Sequence, residues 1–169
     1  MPIEFLDLLA PLDAGWAPLS FDGGAPGMRW SEGGSLAEAP VDLAATFDGA
    51  AWCSTGIDES FGMNGVRLRA GFVVPRHHHD RALLLQVFGG KLTIRSRELD
   101  AAGSDVDEQV DVLRAGQFSV IEADTLCSLS AGPDGVTFLT SWPLREPEGT
   151  TTWHPDAAWV ARAVEGEQG

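Results

Sequence analysis

The stretch GFVVPRHHH (residues 71–79) decides the fold, because an apolar run leads directly into three consecutive histidines. A second apolar run, LLLQVF (residues 83–88), follows and ends at a pair of glycines. Both runs are as long as strands and are bounded by turn residues, so we predict two strands. Side chains alternate between faces on an extended backbone, so His77 and His79 share one face and His78 points to the other. Two imidazoles so placed can close on one divalent metal ion.

Strand-like segments continue on both sides of this stretch. Residues 66–70 alternate apolar and polar side chains, as a half-buried strand does. The glycine pair at 89–90 and the Gly-Pro-Asp-Gly run at 132–135 predict turns. The further strand candidates are residues 71–76, 82–88, 91–97, 109–113, 117–122, 125–130 and 135–142. Many short strands joined by regular turns predict an all-β barrel or sandwich.

The two ends of the chain differ from this central pattern, although we predict one domain overall. Residues 1–60 lack regular alternation and predict an irregular N-terminal arm with edge strands. Residues 61–145 form the predicted barrel core. Residues 146–169 form a tail in which helical spacing begins near Pro155. Proline is favoured in the first turn of a helix, so we predict a short C-terminal helix there.

The composition excludes several classes of function. The chain has 169 residues, of which 44% are hydrophobic, and this suffices for one domain with a buried core. Its 11 Lys and Arg against 25 Asp and Glu give a net charge of −14, which argues against nucleic acid and anionic membranes as partners. Two cysteines are too few for a disulfide framework, and the N-terminus lacks the basic region of a signal peptide. We therefore expect a cytoplasmic protein.

The spacing around the histidines has a counterpart in a known family. Gly71 is followed by five residues and then by His77 and His79 with one residue between them. Leu83 comes after three more residues, and Gly90 after another six. This spacing resembles the first motif of the cupin superfamily, in which a glutamate ligand usually stands at the position of Leu83. The resemblance implies a cupin-type jelly-roll β-barrel with a metal or small-molecule site inside.

A counterpart of the second cupin motif begins at Gly116. Where the family usually has proline, glycine, histidine and asparagine, this chain has Glu122, Asp124, Cys127 and Ala131. The resemblance covers roughly half of the chain, residues 64–142, and implies that His77 and His79 are metal ligands. Cys127 stands at the place of the missing histidine ligand, where a soft thiolate would complete the set.

The resemblance implies a metal-binding enzyme that acts on a small organic molecule, and we take a non-haem metal-dependent dioxygenase-type oxidoreductase as the first hypothesis. The cofactor is then a divalent metal ion, with iron, zinc, nickel and copper as candidates. Gln86 and His154 are the candidate catalytic residues, for orienting the substrate or moving a proton. We expect one ion per chain, bound through His77 and His79 and not through His78.

Other functions stay open at this point. Cupins also include isomerases, lyases and polyketide cyclases. The loss of two usual ligands also suits a non-catalytic module that binds or senses a small molecule in an apolar pocket, although we favour the enzyme. In that case His77 and His79 only form hydrogen bonds inside the barrel, and Cys127 is a small buried hydrophobic residue.

We predict a homodimer with residues 5–30 at its interface. This segment has no clear barrel strand to bury its large apolar side chains, and exposed apolar patches usually mark interfaces. These side chains are Phe5, Leu6, Leu8, Leu9, Trp16 and Trp30. Light scattering at micromolar concentration should give twice the chain mass of 18.0 kDa. A mass equal to that of one chain would contradict this prediction.

Overall fold

The computed structural model of the chain describes residues 17–18, 28–30, 50–54, 61–99, 108–143 and 150–154. Every regular element in this part of the chain is a β-strand. Over the same residues, no helix has the length and apolar character needed to cross a membrane. The strands are β1 (Ala17–Pro18), β2 (Met28–Trp30), β3 (Ala50–Ser54), β4 (Phe61–Leu68), β5 (Val73–His79), β6 (Leu83–Glu98), β7 (Gln109–Arg114), β8 (Phe118–Ile121), β9 (Thr125–Pro143) and β10 (Thr151–Trp153).

Strand β9 organises the sheet, because it is the longest strand and pairs along both of its edges. One edge pairs antiparallel with β6 over nearly its whole length. The other edge pairs first with β5, through residues 127–130, and then with β4, through residues 136–143. Strands β10 and β2 extend the sheet beyond β5, and β3 and β1 extend it beyond β4. The result is a curled β-sheet, which confirms the predicted all-β class.

One hydrophobic cluster fills the inner face of this sheet, which we define as the face that carries Leu85 and Val87 of β6 and Cys127 and Leu129 of β9. In β6 the buried Leu83, Leu85 and Val87 alternate with outward-facing residues, as the pattern of a half-buried strand requires. The largest side chains that are less than 2% exposed are Leu68, Leu85, Val87, Leu92, Cys127 and Phe138. Burying an aliphatic or aromatic side chain of this kind contributes about 1.5–3 kcal/mol to folding.

Two glycine-containing segments that the sequence predicts as turns are bulges inside long strands. Gly89 and Gly90 lie within β6, and residues 132–135 lie within β9. The pairing of β6 with β9 shifts between Val87 and Gly89 and again between Gly90 and Leu92. The prediction of separate strands on either side of each turn was therefore wrong, because both strands resume their pairing beyond the bulge.

The predicted ends are only partly within the described residues. The helix expected from Pro155 and most of the predicted N-terminal arm lie outside them. Strand β10, which belongs to the predicted tail, pairs antiparallel with β5 and parallel with β2. Short segments from both ends of the chain thus complete the sheet beside the histidine strand.

We predict that Gly90→Ala destabilises the protein far more than Gly71→Ala. Both glycines have a left-handed φ, of 77° and 70°, which costs any other residue about 1–2 kcal/mol. A Cβ on Gly90 would also clash with the backbone oxygen of Gly135, whereas nothing lies within 4 Å of a Cβ on Gly71. Overpacking against a rigid backbone should add at least about 1–3 kcal/mol. Equal urea midpoints for the two variants would contradict this account of the bulge.

Candidate metal centre

Strand β5 becomes irregular just before the histidines, because Pro75 interrupts it. Proline has no N–H to donate to a neighbouring strand, so it is confined to strand edges and bulges. The pairing of β5 with β9 shifts between Val74 and His77, and Val74 and Pro75 are buried in succession instead of alternating. Beyond this shift His77 lies opposite Cys127 and is only 5% exposed. The bulge therefore turns His77 into the core.

The carbonyl group of Pro75 determines which nitrogen of His77 carries its proton. His77 Nδ1 donates a hydrogen bond of 2.8 Å to this oxygen, which can only accept. The lone pair of the neutral ring is therefore on Nε2, which lies 3.7 Å from Cys127 Sγ. A nitrogen and a sulfur ligand at about 2.0 Å and 2.3 Å from one tetrahedral ion stand about 3.5 Å apart. The observed separation is close to that value.

His79 lies beside His77 on the same side of the strand. The two ring centroids are 5.1 Å apart and the ring planes meet at 84°. Thr151, which pairs with His79 across β10 and β5, places its Oγ1 3.0 Å from His79 Nδ1. This contact engages Nδ1 and leaves Nε2 as the nitrogen available to a metal ion. Both histidines thus have a hydrogen-bond partner that orients the ring, as metal-ligating histidines commonly do.

Burial keeps both imidazoles neutral. Desolvation lowers the pKa of His77 to about 4, and repulsion from His78 and His154 acts in the same direction. Desolvation, together with repulsion from His77 and His78, lowers the pKa of His79 to about 3. Burial also raises the pKa of the Cys127 thiol to about 12. Neutral imidazole is the form that binds a metal, whereas the thiol must lose its proton to do so.

The hydrophobic core reaches His77 through Trp153 and Cys127, which belong to the same buried cluster as Leu83. Leu83 is 7% exposed and belongs to the hydrophobic core. The Trp153 ring lies 4.8 Å from the His77 ring, centroid to centroid. Over the described ranges, no three His, Cys, Asp or Glu side chains stand close enough together to hold one ion as they are. His77 is near both His79 and Cys127, so a three-ligand set requires one of those two side chains to adjust.

The two predicted catalytic residues are not brought to this centre. Gln86 alternates with the buried residues of β6, so its side chain lies on the outer face of the sheet. His154 follows β10, and its Nε2 lies 2.8 Å from Nδ1 of His78. His78 pairs with Thr152 and points away from the face of His77 and His79, as the alternation predicts.

Three residues beside the histidines were missed by the sequence analysis. Pro75 stands inside the histidine stretch, and a proline in a strand was a signal that a bulge would follow. Thr151 and Trp153 lie more than seventy residues further along the chain. Only the pairing of β10 with β5 brings these two residues to the site, and no local sequence pattern predicts that pairing.

Comparison with known proteins identifies the architecture. No protein-family model and no curated protein matches the sequence. Among solved structures, a formate complex of the Lactobacillus farciminis oxalate decarboxylase aligns with a TM-score of 0.50 and 20% identity, over 59% of this chain and 30% of that chain. A variant of the Bacillus subtilis oxalate decarboxylase aligns with a TM-score of 0.51 and 18% identity, over 70% of this chain and 33% of that chain. Oxalate decarboxylases are cupin proteins.

The chain has a cupin fold. This confirms the fold that the histidine spacing implied. The chain spans about a third of the length of the solved cupins that it matches. At identities this low the likeness shows the fold alone, so the site of this chain is judged from its own residues. Leu83 and Cys127 stand where the resemblance implies a glutamate and a histidine ligand, so they are the positions at which this chain departs from the cupin motifs.

We predict that the protein, with no metal added, loses stability as the pH falls from about 6.5 to about 4. Unfolded histidine takes up a proton near pH 6.5, whereas His77 and His79 in the folded protein do so only near pH 4 and pH 3. The unfolded state therefore binds more protons within this window, and two such groups give a slope of up to about 2.7 kcal/mol per pH unit. Chemical denaturation at several pH values measures this slope.

The matched comparison is the variant in which both His77 and His79 are replaced by glutamine. Its free energy of unfolding should change less steeply with pH. The pH dependence that is left includes the contribution of His154, whose pKa is also lowered by burial. An NMR titration in which the two rings of the wild-type protein protonate near pH 6.5 would contradict the prediction.

Proposed function

We propose that this cupin binds a divalent metal ion through Nε2 of His77 and Nε2 of His79, with Cys127 as the third ligand, and that it is a metal-dependent enzyme acting on a small organic molecule. The observation that carries the proposal is the position of His77. Its Nδ1 is committed to the Pro75 carbonyl, and its Nε2 lone pair is 3.7 Å from a buried thiol. Nε2 thus faces a second ligand atom across a gap close to the one that a shared ion would span.

The donor set fits a borderline or soft divalent ion. Two imidazoles and one thiolate are ligands of zinc, copper and iron, whereas magnesium and calcium prefer oxygen. The thiol has a raised pKa without an ion, so binding would release its proton, as it does in other thiolate sites. When bound, such an ion would polarise a substrate oxygen or activate dioxygen. Trp153, whose ring lies against that of His77, would exclude water on the protein side of the ion.

Within this class we propose a dioxygenase-type oxidoreductase. An isomerase, a lyase or a polyketide cyclase needs a positioned group that moves a proton at the substrate. Gln86 and His154, which we expected to do this, are on the outer face of the sheet, so they do not serve the inner pair directly. An oxygen-dependent reaction relies chiefly on open metal positions, which a set of two or three protein ligands provides.

The second candidate function is a non-catalytic binding module. It is supported by the apolar replacement of the usual glutamate, because Leu83 belongs to the packed core and offers nothing to a metal or a substrate proton. An apolar cavity with few polar groups binds small molecules without turnover. In this case His77 and Cys127 only form a hydrogen bond with each other inside the barrel.

The two functions are distinguished by the metal content of protein purified without a histidine tag. A stoichiometric redox metal supports the enzyme, and protein that stays metal-free after metal-supplemented expression supports the binding module. For the dioxygenase, nitric oxide serves as a probe of the open positions without any knowledge of the substrate. Iron(II)-loaded protein should give the electron paramagnetic resonance signal of an iron–nitrosyl complex. Failure of nitric oxide to bind the loaded iron argues against dioxygen activation.

We predict that Thr151→Val weakens metal binding by about 10–100-fold, while Thr152→Val leaves it unchanged. Thr151 orients His79 through its hydroxyl group, and loss of such a partner typically costs this factor in affinity. Thr152 is the matched control, because it has the same shape on the same strand but pairs with His78. Removing a ligand, in His77→Ala or His79→Ala, should cost more than about 100-fold. Titration calorimetry measures all four constants, and equal effects of the two threonine variants would contradict the role given to Thr151.

A further inference from the structure

The four histidines of the chain form two pairs on opposite faces of β5. His77 and His79 form the inner pair described above, with ring centroids 5.1 Å apart. His78 and His154 form the outer pair, with ring centroids 5.0 Å apart. The outer pair has no part in the proposed inner centre, yet two of its ring nitrogens lie only 2.8 Å apart.

The outer pair is held by the backbone and not by chance side-chain contact. His78 pairs with Thr152 across β5 and β10. The backbone N–H of His154 donates a 2.7 Å hydrogen bond to the carbonyl of Arg76, so the ladder continues one residue beyond β10. The two imidazoles are therefore fixed side by side on neighbouring strands, with His78 Nδ1 2.8 Å from His154 Nε2. Both side chains are half-buried, which leaves the pair open to solvent on one side.

We propose that His78 and His154 form a second metal site, separate from the inner centre, which takes a nickel(II)- or copper(II)-type ion in preference to zinc. Two nitrogen ligands about 2.05 Å from one ion stand about 2.9 Å apart at a right angle and about 3.3 Å apart in a tetrahedron. The hydrogen bond holds the two nitrogens 2.8 Å apart, so a square-planar or octahedral ion would require less movement of the rings than a tetrahedral one. Water fills the remaining positions on the exposed side.

A metal ion can replace the hydrogen bond between His78 and His154 without either imidazole becoming charged. In the hydrogen bond one ring donates its N–H to the lone pair of the other ring. When an ion takes the place of this hydrogen bond, the donor ring moves its proton to its other nitrogen, and each ring turns its lone pair towards the ion. Both rings then stay neutral, as ligating imidazoles must.

Two opposing charges set the strength of this outer site. The positive charge of Arg97 acts on His154 and disfavours a cation there. The net charge of −14 attracts cations to the whole molecule, although salt screens that attraction over about 10 Å. With two protein ligands and a nearby arginine, the outer site should bind more weakly than a three-ligand centre.

The test is calorimetric titration of untagged, chelator-treated protein with Ni²⁺ and, separately, with Zn²⁺. Two double variants are matched to each other, because H77A/H79A and H78A/H154A each retain two histidines and Cys127. We expect two Ni²⁺ per wild-type chain, one more than the sequence implied, and one per chain in each double variant. The site that remains in H77A/H79A should bind Ni²⁺ about 10-fold or more tightly than it binds Zn²⁺.

The outcomes separate this site from the proposed inner centre. The outer site is overturned if H78A/H154A binds as many Ni²⁺ ions as the wild type with unchanged affinities, or if H77A/H79A prefers Zn²⁺. The inner centre fails instead if H77A/H79A loses nothing and H78A/H154A loses every ion. Circular dichroism checks the folding of each variant, and His154→Gln provides a milder replacement whose loss of one Ni²⁺ supports the outer site even where H78A/H154A does not fold.

Discussion

The missing N–H of Pro75 is the constraint on which the site depends. A regular strand through residues 73–79 would continue its pairing with β9 unbroken, but proline cannot donate to that ladder. The pairing therefore shifts between Val74 and His77, and the shift sets His77 against Cys127. The carbonyl oxygen of Pro75 also accepts a hydrogen bond from Nδ1 of the His77 ring. One backbone feature thus controls the position of the imidazole and the nitrogen that it presents.

The second requirement of the site is burial, and it acts on each residue type in a different direction. Desolvation disfavours the charged form of any group, so it keeps the imidazoles neutral and keeps the thiol protonated. Neutral rings are ready for a metal ion, whereas Cys127 needs the ion itself to release its proton. The long strand β9 makes this burial possible, because it carries Cys127 and joins β5 and β6 in one curled sheet.

Much of the fold was predictable because alternation along a strand is a local property. The alternating residues of β4 and β6 and the glycine-bounded runs predicted strands that the structure contains. The continuity of β6 through Gly89 and Gly90 was not predictable. A glycine pair between two strand-like runs is equally compatible with a turn and with a bulge, and the choice depends on whether the partner strand resumes its pairing. The partner here is β9, some forty residues further along the chain.

The sequence by itself determined that His77 and His79 share a face while His78 points away, since the period of an extended chain is two residues. It also determined the cupin frame, through the spacing from Gly71 to Gly90. Only the tertiary structure decided which residues lie next to each histidine. The pairing of β10 with β5 brings Thr151 and Trp153 to the inner pair and sends His154 to His78. Pairing between distant strands depends on register and packing across the whole sheet, and the sequence of one strand alone specifies neither.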